Sequence, residues 1–196
     1  MATALGFFAS SLIDEFGISR GQFGLLVTAS IIFGALVSPS WGRFADRFGG
    51  RWTLAAVFAM AAAGFVAMAV APVFALLFVG AVITSFSMAA SNPATNKLIT
   101  RHVAAGRRGT VTGIKQSGVQ AASFLSGLAI PLGARTIGWR MSMLVIAAMI
   151  FVFVPLSLRL LPGDAPDERV VAADAKEPLP GSVRWLTGYG FLVGFA

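Results

Sequence analysis

The sequence predicts an all-α membrane protein: a six-helix unit arranged as a three-plus-three inverted repeat, with partial first and seventh helices. Three observations predict it. Of the 196 residues, 57% are hydrophobic and 12% are charged, about half the charged share of a soluble domain and too little to coat a water-soluble globule. The charges are gathered into short clusters, leaving charge-free runs as long as a bilayer is thick. The cations also fall mostly on alternate connections between those runs. Mean hydropathy is +0.82. There is no cysteine and one histidine, His102, so disulfides, thiol nucleophiles and His-rich metal sites drop out. No cofactor or metal is expected.

The elements follow in order. Residues 1–13 are uncharged, about half a crossing, and form a partial span 1; no basic segment precedes them as a signal peptide would need. The run 21–42 is span 2. The next run, 52–96, would be about 68 Å long as one helix, against a hydrocarbon core of about 30 Å. It must fold back, and Pro72 divides it into spans 3 and 4. Runs 116–134 and 141–158 supply spans 5 and 6, giving five full crossings. Residues 162–184 hold Pro162, Pro166, Pro178 and Pro180 with five acids, the composition of a solvated linker. Residues 185–196 start a seventh span. The division expected is a helical half at 1–161, a cytoplasmic linker at 162–184 and a cut helix at 185–196, with the first helix cut as well.

Sidedness comes from Lys and Arg. The connections after spans 2, 4 and 6 hold Arg43, Arg47, Arg51, Lys97, Arg101, Arg107, Arg108, Lys115, Arg159, Arg169, Lys176 and Arg184. The other side has only Arg20, Arg135 and Arg140. The even-numbered connections are therefore expected in the cytoplasm, and the membrane expected is the bacterial inner membrane. The net charge of +7 is mainly this orientation signal. The cations lack an aromatic-interleaved platform, so the partner expected is the lipid bilayer and no nucleic acid.

A weak internal echo supports the repeat. Pro39-Ser40-Trp41-Gly42-Arg43 leads to Arg51-Trp52, and Pro131-Leu132-Gly133-Ala134-Arg135 leads to Gly138-Trp139-Arg140. The two join spans 2–3 and 5–6, on opposite sides, as an inverted repeat requires. Ser30, Gly34, Ser38 and Gly42 form a stripe of small residues along span 2, and Gly109, Gly113, Ser117 and Ala121 form one entering span 5. Both are read as helix-packing faces.

The most specific stretch is Gly42-Arg43-Phe44-Ala45-Asp46-Arg47-Phe48-Gly49-Gly50-Arg51. A tight turn needs glycine where a side chain would clash, an Asp there can meet unpaired backbone N–H groups, and arginines hold the end at the aqueous interface. The pattern G-x-x-x-D-R-x-G-x-R resembles the signature loop of the major facilitator superfamily. Gly42, Asp46, Arg47, Gly49 and Arg51 match it; Gly50 departs, where the family usually has Arg. The resemblance implies the N-terminal half of a secondary transporter working by alternating access, a gating role for Asp46, Arg47 and Arg51, and a C-terminal six-helix half as partner. Two family features fail. The Arg common early in span 4 is absent from Leu77-Phe78-Val79-Gly80, and the Gly-Pro pair of drug antiporters is broken by Ile130 before Pro131.

Polar side chains in a bilayer tend to face the bundle interior or a wet cavity. Span 4 offers Asn92 and Asn96 one turn apart, with Ser91 and Thr95 on another face. Their alternatives are interhelical hydrogen bonding or a cavity for a small-molecule substrate. Span 5 offers Lys115, Gln116 and Gln120, and Gln120 lies about 16 Å beyond Gly109. Lys115 either snorkels to the aqueous interface or points inward, where it would favour an anionic substrate. No carboxylate lies inside a span. No nucleophile–base pair or paired carboxylates appear, so an enzyme is not expected. The competing expectation is a transport-incompetent fragment or a non-transporting membrane partner.

Overall fold

The computed structural model describes residues 2–161, and the expected linker and seventh span lie outside the described residues. Every described element is a helix. The chain opens with α1 (Ala2–Phe7) and α2 (Ala9–Phe16), which carry the opening uncharged run 1–13 with a break at Phe8 and end in Asp14 and Glu15 beyond it. Gly17, at φ 61°, closes α2 in the left-handed conformation that glycine tolerates.

Helix α3 (Arg20–Ala69) begins with a capping box: Gln22 N–H donates to Ser19 Oγ at 3.1 Å, and Ser19 N–H donates to Gln22 Oε1 at 2.8 Å. Its 50 residues are not one straight rod. Gly49 sits at φ 84°, ψ 167°, a conformation a side chain would strain, and there the helix turns. The limbs 20–48 and 50–69 carry spans 2 and 3. Pro72 then lies in the short break before α4 (Phe74–His102). A single 3₁₀ turn (Ala105–Arg107) leads into α5 (Arg108–Thr136). Gly138, at φ 81°, ψ 157°, precedes α6 (Trp139–Leu160). The two corners of the sequence echo are thus turned by glycines of nearly equal torsion.

Length and apolarity qualify α3, α4 and α6 as membrane-crossing helices among the described residues. α5 is long enough, about 44 Å, but does not qualify by apolarity, because Lys115, Gln116, Gln120 and several serines dilute it. The five full crossings of the sequence correspond to the two limbs of α3 with α4, α5 and α6.

Packing centres on the pair α3 and α4. At Gly64 a Cβ would come within 2.9 Å of Gly80 O and 2.2 Å of Thr84 Oγ1, so only glycine permits this approach. In the span 2 stripe, Ser30 and Gly34 are buried, and a Cβ at Gly34 would meet Ser85 O at 3.1 Å. Gly42 has open space instead. The span 5 stripe meets no helix among the described residues: Gly109, Gly113, Ser117 and Ala121 are exposed, and neither glycine has an atom within 4 Å of its notional Cβ. Small residues permit close approach without supplying the helix that makes it. Within α5 only Ile130 is buried.

The apolar core lies at the end away from the Gly49 corner, where Leu5, Phe8, Leu12, Met68, Leu77 and Met143 meet. A polar clasp holds the same end. Glu15 accepts from Arg140 at 2.7 and 3.1 Å and from Trp139 Nε1. Arg140 also donates to Ala69 O and Ala71 O at 2.7 and 2.8 Å, covering the last carbonyl of α3 and one in the break beyond it. Burial pushes the Glu15 carboxyl up, but the hydrogen bonds from Arg140 and Trp139 and the Arg140 charge outweigh it and leave its pKa lowered. Buried hydroxyls are satisfied locally, Ser30, Thr53 and Thr84 each donating to the carbonyl one turn back; Ser87 reaches across to Val57 O at 2.8 Å.

Candidate functional site

Two clusters hold the residues singled out in the sequence. The first is the corner between the limbs of α3. Asp46 lies one turn before Gly49, and its Oδ1 accepts from Lys97 Nζ near the end of α4 at 3.1 Å. The Lys97 side chain is 11% exposed and that of Asp46 49%. The partner of Asp46 in this half is therefore a residue that the sequence marked only as one more interfacial cation. Arg47 is exposed, its guanidinium 5.6 Å from the Phe48 ring centre. Trp41, Phe44 and Phe48 contact one another in series along the same helix, Trp41 and Phe44 edge to face and Phe44 and Phe48 tilted, with ring centres 5.3 and 4.5 Å apart. Arg51 is half-buried, and its Nε and Trp41 Nε1 are buried with no hydrogen-bond partner among the described residues. At Gly50 a Cβ would stand 2.6 Å from Leu98 Cγ and 3.2 Å from Ala94 O. The departure from the family pattern thus lets Leu98 of α4 pack into the place where a side chain would begin.

The second cluster joins α4 to α5. Lys115 Nζ donates to Asn92 Oδ1 at 3.2 Å, Thr95 Oγ1 at 3.0 Å and Asn96 Oδ1 at 3.1 Å. Positions 92, 95 and 96 are spaced i, i+3, i+4 and share one helix face, so the placement of Thr95 apart from the asparagines is corrected. Interhelical hydrogen bonding does occur at Asn92 and Asn96, and both residues are nevertheless exposed. Lys115 turns toward α4. Gln116 and Gln120 are exposed on α5, with no hydrogen-bond partner among the described residues. Asn92 and Pro93 also close one end of a groove between the first limb of α3 and α4, about 400 Å³ in volume and walled by Ile31, Ala35, Met88 and Ala89. Thr95 and Lys97 are the contacts of the candidate residues that the sequence did not reveal. Helical spacing could have found Thr95; Lys97 needed the fold.

The sequence pattern of the Major Facilitator Superfamily matches residues 1–195. The chain belongs to that superfamily. It is an integral membrane protein with the all-helical fold of a superfamily half. It is also similar to a gallate transporter of Pseudomonas putida, 27% identical over 184 residues. That alignment covers 88% of this chain and 40% of the relative, so the chain spans less than half of that protein's length.

Proposed function

We propose that the chain forms one half of a secondary transporter that moves a small solute across the bacterial inner membrane by alternating access. The observation that carries this reading is the set of exposed polar side chains on α4 and α5, Asn92, Asn96, Gln116 and Gln120, in a chain whose superfamily and relative are transporters. Polar side chains are costly against lipid, and a solute cavity shared with a second six-helix unit gives them a wet surface. In this reading the exposed small-residue stripe of α5 packs against that second unit.

In this reading the corner is the gating element and lies on the cytoplasmic side, which the excess of Lys and Arg supports. The exposed Arg47 and the half-hydrated carboxylate of Asp46 are the charged groups there open to a second half, able to engage it in one conformational state and separate in the other. Gallate, the cargo in the relative's name, is the first solute to assay. The test is uptake into proteoliposomes by the full-length protein. Gln120→Ala is expected to change uptake kinetics at normal expression; absence of uptake for every solute tried, in correctly folded protein, overturns the transport reading.

A further inference from the structure

We infer that the α4–α5 cluster around Lys115 receives the carboxylate of a small organic monoanion, whose apolar body lies in the groove between α3 and α4; this deepens the transport reading and rests on it. A lysine ammonium has three donors and no acceptor, and here all three are committed, to Asn92, Thr95 and Asn96. Because it can only donate, it fixes both amides with Oδ1 toward itself. The two NH2 groups then point away, and neither has a hydrogen-bond acceptor among the described residues. Both asparagines are exposed. The cluster therefore presents outward N–H donors around a cation.

That cation is uncompensated among the described residues. Their acids are Asp14, Glu15 and Asp46. Glu15 is held by Arg140 and Asp46 by Lys97, and Asp14 is on the last turn of α2, at the other end of the bundle. A cationic solute would meet like charge and a set of donors, and a neutral one would leave the charge unanswered. A carboxylate accepts from several N–H groups and cancels the charge. The groove decides the rest of the ligand. It starts at Asn92, its walls are mostly apolar, and its 400 Å³ is within the range of small-molecule sites. A hydrated inorganic anion would gain nothing from Ile31, Ala35 and Met88, whereas an apolar ring or chain would.

The experiment compares benzoate, benzamide and benzamidine, which share a ring and shape and differ in charge, by the thermal unfolding of the full-length protein in detergent. Benzoate is expected to raise Tm with concentration, and the other two to leave it unchanged. Asn96→Asp keeps an oxygen for Lys115 but cancels its charge and removes one donor pair. It should bind benzoate at least about tenfold more weakly while unfolding at the same temperature as wild type or higher, which separates lost binding from lost folding. Lys115→Arg retains the benzoate response. Equal responses to benzoate and benzamide, no response to benzoate, or an undiminished response in Asn96→Asp overturns the proposal. Failure of the transport reading is distinct: benzoate binds with this charge dependence, yet proteoliposomes take up no solute.

Discussion

Gly64→Ala tests whether the α3–α4 contact is as close as the backbone places it. The new methyl would lie 2.9 Å from Gly80 O and from Thr84 N, and 2.2 Å from Thr84 Oγ1. An ordinary carbon contact is about 3.5 Å or more, so the backbones must separate by roughly half an ångström. Thr84 must also rotate, breaking its 2.8 Å hydrogen bond to Gly80 O. Overpacking of this kind costs about 1–3 kcal/mol, and the buried hydroxyl adds about 1 kcal/mol. The helix propensity of Ala over Gly returns up to about 1 kcal/mol. The net expectation is a loss of about 1–3 kcal/mol. Gly24→Ala is the control, since Gly24 is helical, exposed and has open space at its notional Cβ; it should be neutral or slightly stabilising. Thermal unfolding in detergent, followed by intrinsic fluorescence, reads both. If Gly64→Ala unfolds at the same temperature as Gly24→Ala, or higher, the close approach does not exist and the reasoning fails.

Gly49→Ala places a side chain at φ 84° and is expected to cost about 1–2 kcal/mol, measured as the same drop in unfolding midpoint. The lowered pKa of Glu15 means its clasp contributes stability above the ordinary carboxylate range and loses it as pH falls through the folded value. Unfolding of wild type between about pH 7 and pH 3 should therefore show a loss that Glu15→Gln flattens. Asp46→Asn should destabilise more than Lys97→Met, because it leaves the nearly buried ammonium unpaired whereas an orphaned Asp46 is half hydrated; equal or reversed midpoints would contradict this. Single cysteines at Ala104 and Ala75 should react with an impermeant reagent from opposite faces of the membrane, and labelling from one face would defeat the orientation.

The spans were legible because the charges themselves mark where lipid ends, and Pro72 marked the fold-back inside the longest uncharged run. The corner was legible because its conformation demands a glycine at 49, and the same held at 138. What was not legible depended on partners distant in the chain. Glu15 and Arg140 lie more than a hundred residues apart, and nothing local joins them. Lysine reach hid two more facts: Lys97 folds onto Asp46, and Lys115 turns along α4 when its long stem could as well have taken it to the interface. The stripe at Gly109 and Gly113 is the opposite case, since a sequence shows that a surface is flat but not which element lies on it. Thr95 was a misjudged angle.

The grip of α3 on α4 has a bearing on biogenesis. These helices are adjacent in the chain and joined by a four-residue break, so a nascent polypeptide can close that hairpin as soon as α4 leaves the translocon, with little loop-closure entropy to overcome. α5 emerges next and finds almost nothing to bury against; α6 then lands on α3, and Arg140 reaches the end already made. Maturation would thus run out of sequence order, with the most polar helix settling last.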